Sequence, residues 1–158
     1  MRLLVISDAH GAVSPVERAI ESQPEALRVV YLGDGVRQIY HLAELYSALE
    51  FTFVRGNCDY SAQDREVALF EFAGKRVFAT HGHLYHVKQT LDEAKLAARR
   101  AGADVLLFGH THTPLCGYED GLTILNPGSA ARPRQGAPTY GVLDITPQGI
   151  VPLVVKIP

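Results

Sequence analysis

The sequence predicts an α/β fold in which two β-sheets pack face to face and helices cover their outer faces. Three observations lead to this prediction. Apolar, strand-like runs alternate with helical patterns in the first half of the chain, and strand pairs joined by tight turns dominate the second half. The third is the composition: 158 residues, 47% of them hydrophobic and 20% charged, suit one domain over residues 1–158 with a substantial core.

The first half of the chain has a β-α-β-α-β order. The predicted strands are the short apolar runs Arg2–Ile6, Arg28–Leu32 and Phe51–Val54. We expect the first helix to start with Ser14 as N-cap, Pro15 in the first helical position and Glu17 completing a capping box. The second helix is expected over Arg37–Leu49, where apolar residues recur at helical spacing. This order predicts parallel strands joined by right-handed crossovers.

The second half contains more strand. The strands expected there are Val67–Phe72, Arg76–Thr80, Asp104–Phe108, Leu115–Glu119, Leu122–Leu125, Tyr140–Ile145 and Ile150–Ile157. Turn signals at residues 73–75 and at Asp120-Gly121 predict two hairpins. A helix is expected over His86–Ala101, ended by Gly102.

Charge, apolar runs and cysteine usage exclude several classes of protein. A net charge of −2 and a pI of about 6.4 argue against nucleic acid as a partner, since duplex binders with a basic face usually exceed a pI of about 9. The longest apolar runs, such as Leu3–Ile6 and Val105–Phe108, fall far short of the roughly 18–20 residues of a membrane span. Cys58 and Cys116 lack metal-finger spacing. We therefore expect a cytoplasmic protein with no membrane segment and no disulfide.

Polar residues punctuated by glycine follow five of the predicted strands at their carboxyl ends. They are Asp8 and His10, Asp34, the run Asn57-Cys58-Asp59, His81 and His83, and His110 and His112. In open α/β sheets, ligands bind outside the carboxyl ends of the strands. We therefore expect these side chains to converge although they are far apart in sequence.

Seven of these side chains have the chemistry of divalent-metal ligands. They are Asp8, His10, Asp34, Asn57, His81, His110 and His112. The set is too large for one tetrahedral zinc ion. It suits two metals about 3.5–4 Å apart that share a bridging carboxylate. The scarcity of thiolate favours Mn, Fe, Zn, Ni or Mg.

Each motif alone has a simpler explanation. Taken alone, Asp8-Ala9-His10 is as consistent with a structural or surface role as with metal binding. Gly33-Asp34-Gly35 alone is typical of a turn. The pair His110 and His112 is stronger, because two histidines at i and i+2 after an apolar strand can reach one centre. The prediction depends on the recurrence of such clusters at five strand ends.

The order of these motifs resembles the signature of the calcineurin-like metallophosphoesterases. The matching motifs are Asp8-x-His10, Gly33-Asp34, Gly56-Asn57-x-Asp59, His81 and Gly109-His110-x-His112. The short chain, Cys58 and the run Asn126-Pro127-Gly128-Ser129 look like the small YfcE-type phosphodiesterases of bacteria and archaea. This resemblance implies an α-β-β-α sandwich with its active site at the strand carboxyl ends.

The resemblance also implies an activity, namely hydrolysis of small phosphodiesters by a metal-activated hydroxide at two divalent ions, with manganese expected first. The two implied ligand sets are Asp8, His10, Asp34 and His112 for one ion, and Asp34, Asn57, His81 and His110 for the other, with Asp34 bridging. Asn57 would also orient the phosphate, and Arg132 and Arg134 are candidates to contact it, although a solvated loop pair explains them equally well.

One position departs from the family pattern. Many members carry histidine where Cys58 stands, and that histidine is thought to protonate the leaving group or bind phosphate. The general acid is therefore unassigned here, with Asp59 and His83 as substitutes to test.

Other functions stay open at this stage. The small subunit of the retromer coat resembles these enzymes but serves as a protein-binding scaffold, with a vestigial or structural metal site. A nuclease of the DNA-repair branch would need extra domains that this chain has no room for. Family members often dimerise, so a homo-oligomer is open as well.

Overall fold

The computed structural model describes all 158 residues, which form ten strands and three α-helices. The strands are β1 (Arg2–Ile6), β2 (Ala26–Tyr31), β3 (Glu50–Phe53), β4 (Val67–Phe72), β5 (Lys75–Thr80), β6 (Val105–Leu107), β7 (Leu115–Glu119), β8 (Leu122–Asn126), β9 (Thr139–Thr146) and β10 (Gly149–Lys156). The helices are α1 (Val13–Glu21), α2 (Val36–Leu45) and α3 (Asp92–Arg100), and a short 3-10 helix covers His83–Tyr85.

The strands form two five-stranded sheets, which confirms the predicted two-sheet α/β sandwich. The first sheet has the order β10-β9-β1-β2-β3 and the second β4-β5-β6-β8-β7. The pairs β1–β2 and β2–β3 are parallel, as the β-α-β-α-β order predicts. Both predicted hairpins are present, β4–β5 and β7–β8. Their turns have positive φ at both central positions, 51° and 74° at Ala73 and Gly74 in the first, which matches the twist of the strands.

The core lies between the sheets and between each sheet and its helices. Strand β1 shows how the sequence builds both layers. Leu3 and Val5 point into the space between the sheets, whereas Leu4 and Ile6 belong to the cluster that packs against α1 and α2. Because successive side chains in a strand alternate between faces, a strand buried on both faces has to be apolar throughout. This requirement explains the uninterrupted apolar run before Ser7.

Two helix boundaries in the first half differ from the prediction. The prediction of Ser14 as N-cap was wrong: α1 starts at Val13, Ala12 is the N-cap, and no side chain caps it. The Ser14 hydroxyl instead accepts a hydrogen bond from Arg18 Nη1 at 2.8 Å. Helix α2 ends at Leu45 rather than at Leu49. The chain leaves helical geometry at Tyr46 because it must turn back at once into β3.

The third helix is shorter than predicted. It starts at Asp92, six residues after His86, because His86 adopts a left-handed conformation (φ 51°) that an α-helix does not allow. Val87 is buried, as its apolar character predicts, but it lies outside the helix. Asp92 and Glu93 form an acidic first turn, which suits the positive end of the helix dipole. None of the helices has the length and apolar character needed to cross a bilayer.

Candidate metal centre

The loops after β1, β2, β3, β5 and β6 meet at one edge of the sandwich, between the two sheets. Backbone hydrogen bonds join neighbouring loops directly. The Asp8 amide donates to Gly33 O at 3.0 Å, and the His10 amide donates to Asp34 O at 2.9 Å. The Gly109 amide donates to His81 O at 3.0 Å within the second sheet. Each loop of the site is therefore held in place by backbone hydrogen bonds to a neighbouring loop.

Backbone strain is concentrated in these loops. Of the eight non-glycine residues with positive φ in the chain, five carry candidate ligand side chains: Asp8, His10, Asp34, His110 and His112. A left-handed conformation at such a residue costs on the order of 1 kcal/mol or more, and it persists where the surroundings enforce it. This clustering of strain is typical of functional sites.

The first group of side chains comprises Asp8, His10 and His112. Asp8 Oδ1 lies 3.1 Å from His112 Nε2 and 3.9 Å from His10 Nε2. The two imidazole Nε2 atoms are 3.3 Å apart. These three residues can place one ligand atom each within 4.8 Å of one another, as binding of a single ion requires.

The second group comprises Asn57, His81 and His110. His81 Nε2 lies 3.1 Å from Asn57 Oδ1 and also 3.1 Å from His110 Nδ1. Asn57 is exposed, whereas His81 is fully buried. The three ligand atoms come from three different strand ends, β3, β5 and β6.

Asp34 lies between the two groups. Its Oδ2 atom is 3.9 Å from His10 Nε2 and 3.6 Å from His81 Nε2, so one carboxylate faces a histidine of each group. Its Oδ1 atom accepts a hydrogen bond from the Cys58 amide at 2.9 Å. Gly56 permits this approach, because a Cβ atom at that position would clash with the Asp34 carboxylate. The prediction that these seven residues converge matches the geometry.

Hydrogen bonds on the outer side of the site orient the ligand atoms inward. His81 Nδ1 lies 2.7 Å from Leu32 O, and His112 Nδ1 lies 2.6 Å from Arg132 O. A carbonyl partner requires the proton on Nδ1, so in the neutral form of each ring the Nε2 lone pair is directed at the centre. Ser7 Oγ donates to Asp8 Oδ2 at 2.5 Å and so fixes the orientation of the Asp8 carboxylate.

The donor set fits divalent metal ions. Asp8 Oδ1 is buried and accepts no hydrogen bond, although histidine nitrogens surround it. Burial and the neighbouring His81 lower the pKa of His110 to about 4, so its imidazole is neutral as a metal ligand must be. Burial alone would raise the pKa of Asp8, but nearby His112, His81 and Ser7 hold it below its ordinary value. A buried carboxylate oxygen without a hydrogen-bond donor, such as Asp8 Oδ1, is a suitable ligand for a cation.

Asp59, unlike the neighbouring candidate Asn57, does not face the centre with free polar atoms. It is buried, and its two oxygens accept four backbone N–H groups, at distances of 2.7 to 3.0 Å. Three of the donors, residues 34–36, lead into helix α2. Through these contacts the Asp59 carboxylate joins two loops and caps the N-terminus of helix α2.

Cys58 and the second general-acid candidate, His83, flank the centre. Burial, and then Asp34, raise the pKa of the Cys58 thiol to about 11. The His83 ring lies 5.5 Å from that of His81 and 6.2 Å from that of His110, measured between centroids. Its Nδ1 atom is buried without a hydrogen-bond partner, and Glu66 lies 3.9 Å from its Nε2 atom.

An open cavity of about 560 Å³ adjoins the centre, lined by His10, Cys58 and Arg132 among others. Arg132 therefore faces this space, whereas Arg134 is exposed outside its lining. Cys58 and Cys116 are free thiols.

Three further residues support the site, and two of them, Asn126 and Ser129, belong to the run that carries part of the family resemblance. The Tyr31 hydroxyl accepts from the Ala9 amide at 3.2 Å and donates to Asp34 O at 2.9 Å. Ser129 Oγ donates to Asp8 O at 2.8 Å, and Asn126 Nδ2 donates to Gly109 O at 3.1 Å. Tyr31 was not identified from the sequence, although a hydroxyl-bearing residue at the end of an apolar strand, beside the loop of Asp34, is a usable signal.

Comparison with known proteins gives consistent results. A family model described as the calcineurin-like phosphoesterase superfamily domain matches residues 1–148. The probable metallophosphoesterase YsnB of Bacillus subtilis is 32% identical over 148 residues, covering 92% of this chain and 85% of the relative. The phosphodiesterase YfcE of Escherichia coli is 34% identical over 169 residues, covering 91% of this chain and 88% of the relative.

Solved structures share the architecture. The structure of YfcE, a phosphoesterase from Escherichia coli, superposes with a TM-score of 0.69 at 26% identity and full coverage of both chains. Vps29 from Entamoeba histolytica, complexed with Zn²⁺, gives a TM-score of 0.78 at 20% identity, also with full coverage, and so shares the fold. With the predicted resemblance confirmed by the family model and by two relatives above 30% identity, the chain belongs to the calcineurin-like phosphoesterase superfamily.

Proposed function

We propose that this protein is a phosphodiesterase that hydrolyses small phosphate diesters at a centre of two divalent metal ions. The position of Asp34 carries the proposal. One carboxylate oxygen faces His10 of the first group and His81 of the second, at 3.9 and 3.6 Å. A shared carboxylate is what a two-metal hydrolytic centre needs.

The ligand sets follow the two groups of side chains. Asp8, His10 and His112 would hold one ion, and Asn57, His81 and His110 the other, with Asp34 between them. Asp8 Oδ1 lies only 4.0 Å from His81 Nε2, so the two groups are in direct contact. Manganese is the ion we would test first, because oxygen and imidazole ligands suit it.

When bound, such ions supply an acidified water and neutralise charge on the phosphate oxygens. The side chains of the protein would bind and orient the phosphate. The exposed amide of Asn57 orients the phosphate, and Arg132 offers its guanidinium to a phosphate oxygen from the cavity lining. Small phosphodiesters suit a cavity this open, and free exposed thiols suit a reducing cytoplasm.

The test is hydrolysis of bis(p-nitrophenyl) phosphate, with p-nitrophenyl phosphate as the monoester. The protein is stripped with a chelator and then supplied with Mn²⁺. We expect metal-dependent turnover that prefers the diester. Asp34→Asn keeps the acceptor for the Cys58 amide but removes the charge, and should lower turnover at least about 100-fold.

Glu44→Gln is the matched control, since Glu44 is an exposed carboxylate on α2 and should tolerate the change. Normal turnover by Asp34→Asn would contradict a shared bridging carboxylate. Absence of turnover with every divalent ion tested would contradict the phosphodiesterase itself.

A protein-binding scaffold is the second candidate, and the shared fold with Vps29 favours it. The close approach of the seven ligand candidates beside an open cavity favours the enzyme. A scaffold would bind metal without turning over either ester, so the same assay separates the two functions.

A further inference from the structure

The cavity beside the metal centre extends onto a surface that the reaction itself does not require. Besides His10 and Cys58, it is lined by Arg37 from the first turn of α2 and by Tyr60 and Ser61 from the loop after β3. Arg37 Nη1 donates to Ser61 Oγ at 2.9 Å, which joins the helix to the loop. A volume of about 560 Å³ lies within the usual range for small-molecule sites.

The charge of this cavity favours an anion. Two arginines line it, Arg37 and Arg132, and neither has a carboxylate within 4.0 Å. The one carboxylate in the lining, Asp59, accepts four backbone N–H groups. Arg37 is held by a single neutral hydroxyl, so most of its five N–H donors are free for an anionic ligand.

Tyr60 adds an aromatic surface to the same cavity. It is 90% exposed and forms no hydrogen bond, unlike Tyr31 and Tyr140, which are buried. An exposed ring beside unpaired arginines is the combination with which proteins bind nucleotides, because a base stacks on the ring while the guanidinium pairs with a phosphate.

We propose that this cavity binds the leaving nucleotide of a small nucleotide diester, with Arg37 on its terminal phosphate and Tyr60 under its base. The inference rests on the proposed phosphodiesterase function and names its substrate class: short 5′-phosphorylated oligonucleotides. In the dinucleotide pApA, water forms the new bond to phosphorus, the bond from phosphorus to the 3′-oxygen breaks, and that oxygen leaves with a proton. Two molecules of 5′-AMP result.

The test compares two dinucleotides that differ only in the 5′-phosphate, pApA and ApA. We expect kcat/KM of the Mn²⁺-loaded protein for pApA to exceed that for ApA on the order of tenfold or more, since the extra phosphate adds a charged hydrogen bond. Arg37→Gln should reduce this ratio to about one. Arg100→Gln, which removes an exposed arginine outside the cavity, should leave the ratio and the turnover of bis(p-nitrophenyl) phosphate unchanged.

Tyr60 is tested by the split between binding and chemistry. Tyr60→Ala should raise KM for both dinucleotides about tenfold with little change in kcat, and Tyr60→Phe should restore KM, because the ring and not the hydroxyl supports the base. An equal effect on kcat would contradict a remote binding role.

The outcomes separate this inference from the function on which it rests. No hydrolysis of bis(p-nitrophenyl) phosphate refutes the phosphodiesterase. Hydrolysis of that ester without any preference for pApA over ApA, or with a preference that survives Arg37→Gln, refutes the nucleotide subsite alone.

Discussion

At the scale of single residues, Asp59 shows how a side chain beside a reactive centre can serve the backbone. Its sequence position, two residues after Asn57, made it a candidate general acid. In the structure its oxygens accept the amides of Asp34, Gly35, Val36 and Gly56. A carboxylate with four donors holds the loop that carries Asp34, the proposed bridging ligand, and it has no free position for a substrate proton.

Substituting Asp59 should therefore affect stability first. Asp59→Asn replaces one acceptor oxygen by an NH₂ group that faces backbone donors. We expect the free energy of unfolding to fall by about 2 kcal/mol, measured by urea denaturation, together with weaker metal binding. If Asp59 were the general acid, the variant would keep its stability and lose rate only on substrates with poor leaving groups.

The two kinds of residue differ in how far sequence could identify them. The ligand candidates could be predicted because residue type and position after a strand suffice, as for His110 and His112 after β6. The contacts of Asp59 depend on how its side chain meets the amides of a loop more than twenty residues away. No spacing rule encodes that orientation, and the same holds for Arg37 and Tyr60, which share a cavity only after folding.

At the scale of elements, the strands position the candidate ligand residues, and the strained backbone conformations lie in the loops that follow them. Strand β2 illustrates this, because Tyr31 at its end links the loop of Asp8–His10 to that of Asp34 through one buried hydroxyl. Burial raises the pKa of Tyr31 well above its ordinary value, so the hydroxyl stays a neutral donor and acceptor.

Tyr31→Phe tests this link while retaining the packed ring. It leaves the Ala9 amide and the Asp34 carbonyl buried without their partner, which should cost about 1–3 kcal/mol of stability. Because Asp34 then loses part of its backbone support, calorimetric titration should show weaker Mn²⁺ binding. Tyr118→Phe is the control, since Tyr118 is 75% exposed. Unchanged metal affinity in Tyr31→Phe would mean that the loops hold the ligands without this hydroxyl.

Helix starts were the least predictable elements. The Ser14-Pro15-x-Glu17 pattern favours a capped start, yet α1 begins two residues earlier, where the chain leaves the loop of Asp8 and His10. Likewise α3 begins late because residues 82–86 follow a tight path beside His81, with Gly82 and His86 both left-handed. In both cases the geometry of the site overrides local helix preference.

At the scale of the whole molecule, the two sheets share one core. The cluster between them combines Leu3, Val5 and Val30 of the first sheet with Val77, Leu107 and Leu125 of the second. Neither sheet can lose its partner without exposing this cluster, so we propose that residues 1–158 behave as one domain. The proposed metal centre at the edge of this interface would take ligands from both sheets and should add to their coupling.

Metal binding should therefore stabilise the entire fold. The protein without metal brings Asp8 and Asp34 together in a buried site, whereas bound cations compensate both charges and bind only the folded state. An ion present at about 100 times its Kd adds about 2.7 kcal/mol to the free energy of unfolding, which for a domain of this size raises Tm by about 5–10 °C per ion.

Scanning calorimetry should show one transition with EDTA and one transition at higher temperature with Mn²⁺. Asp34→Asn should lose most of this shift in Tm, while Glu44→Gln should keep it. Two separate transitions would contradict the single domain, and a Tm that ignores Mn²⁺ would contradict the metal centre.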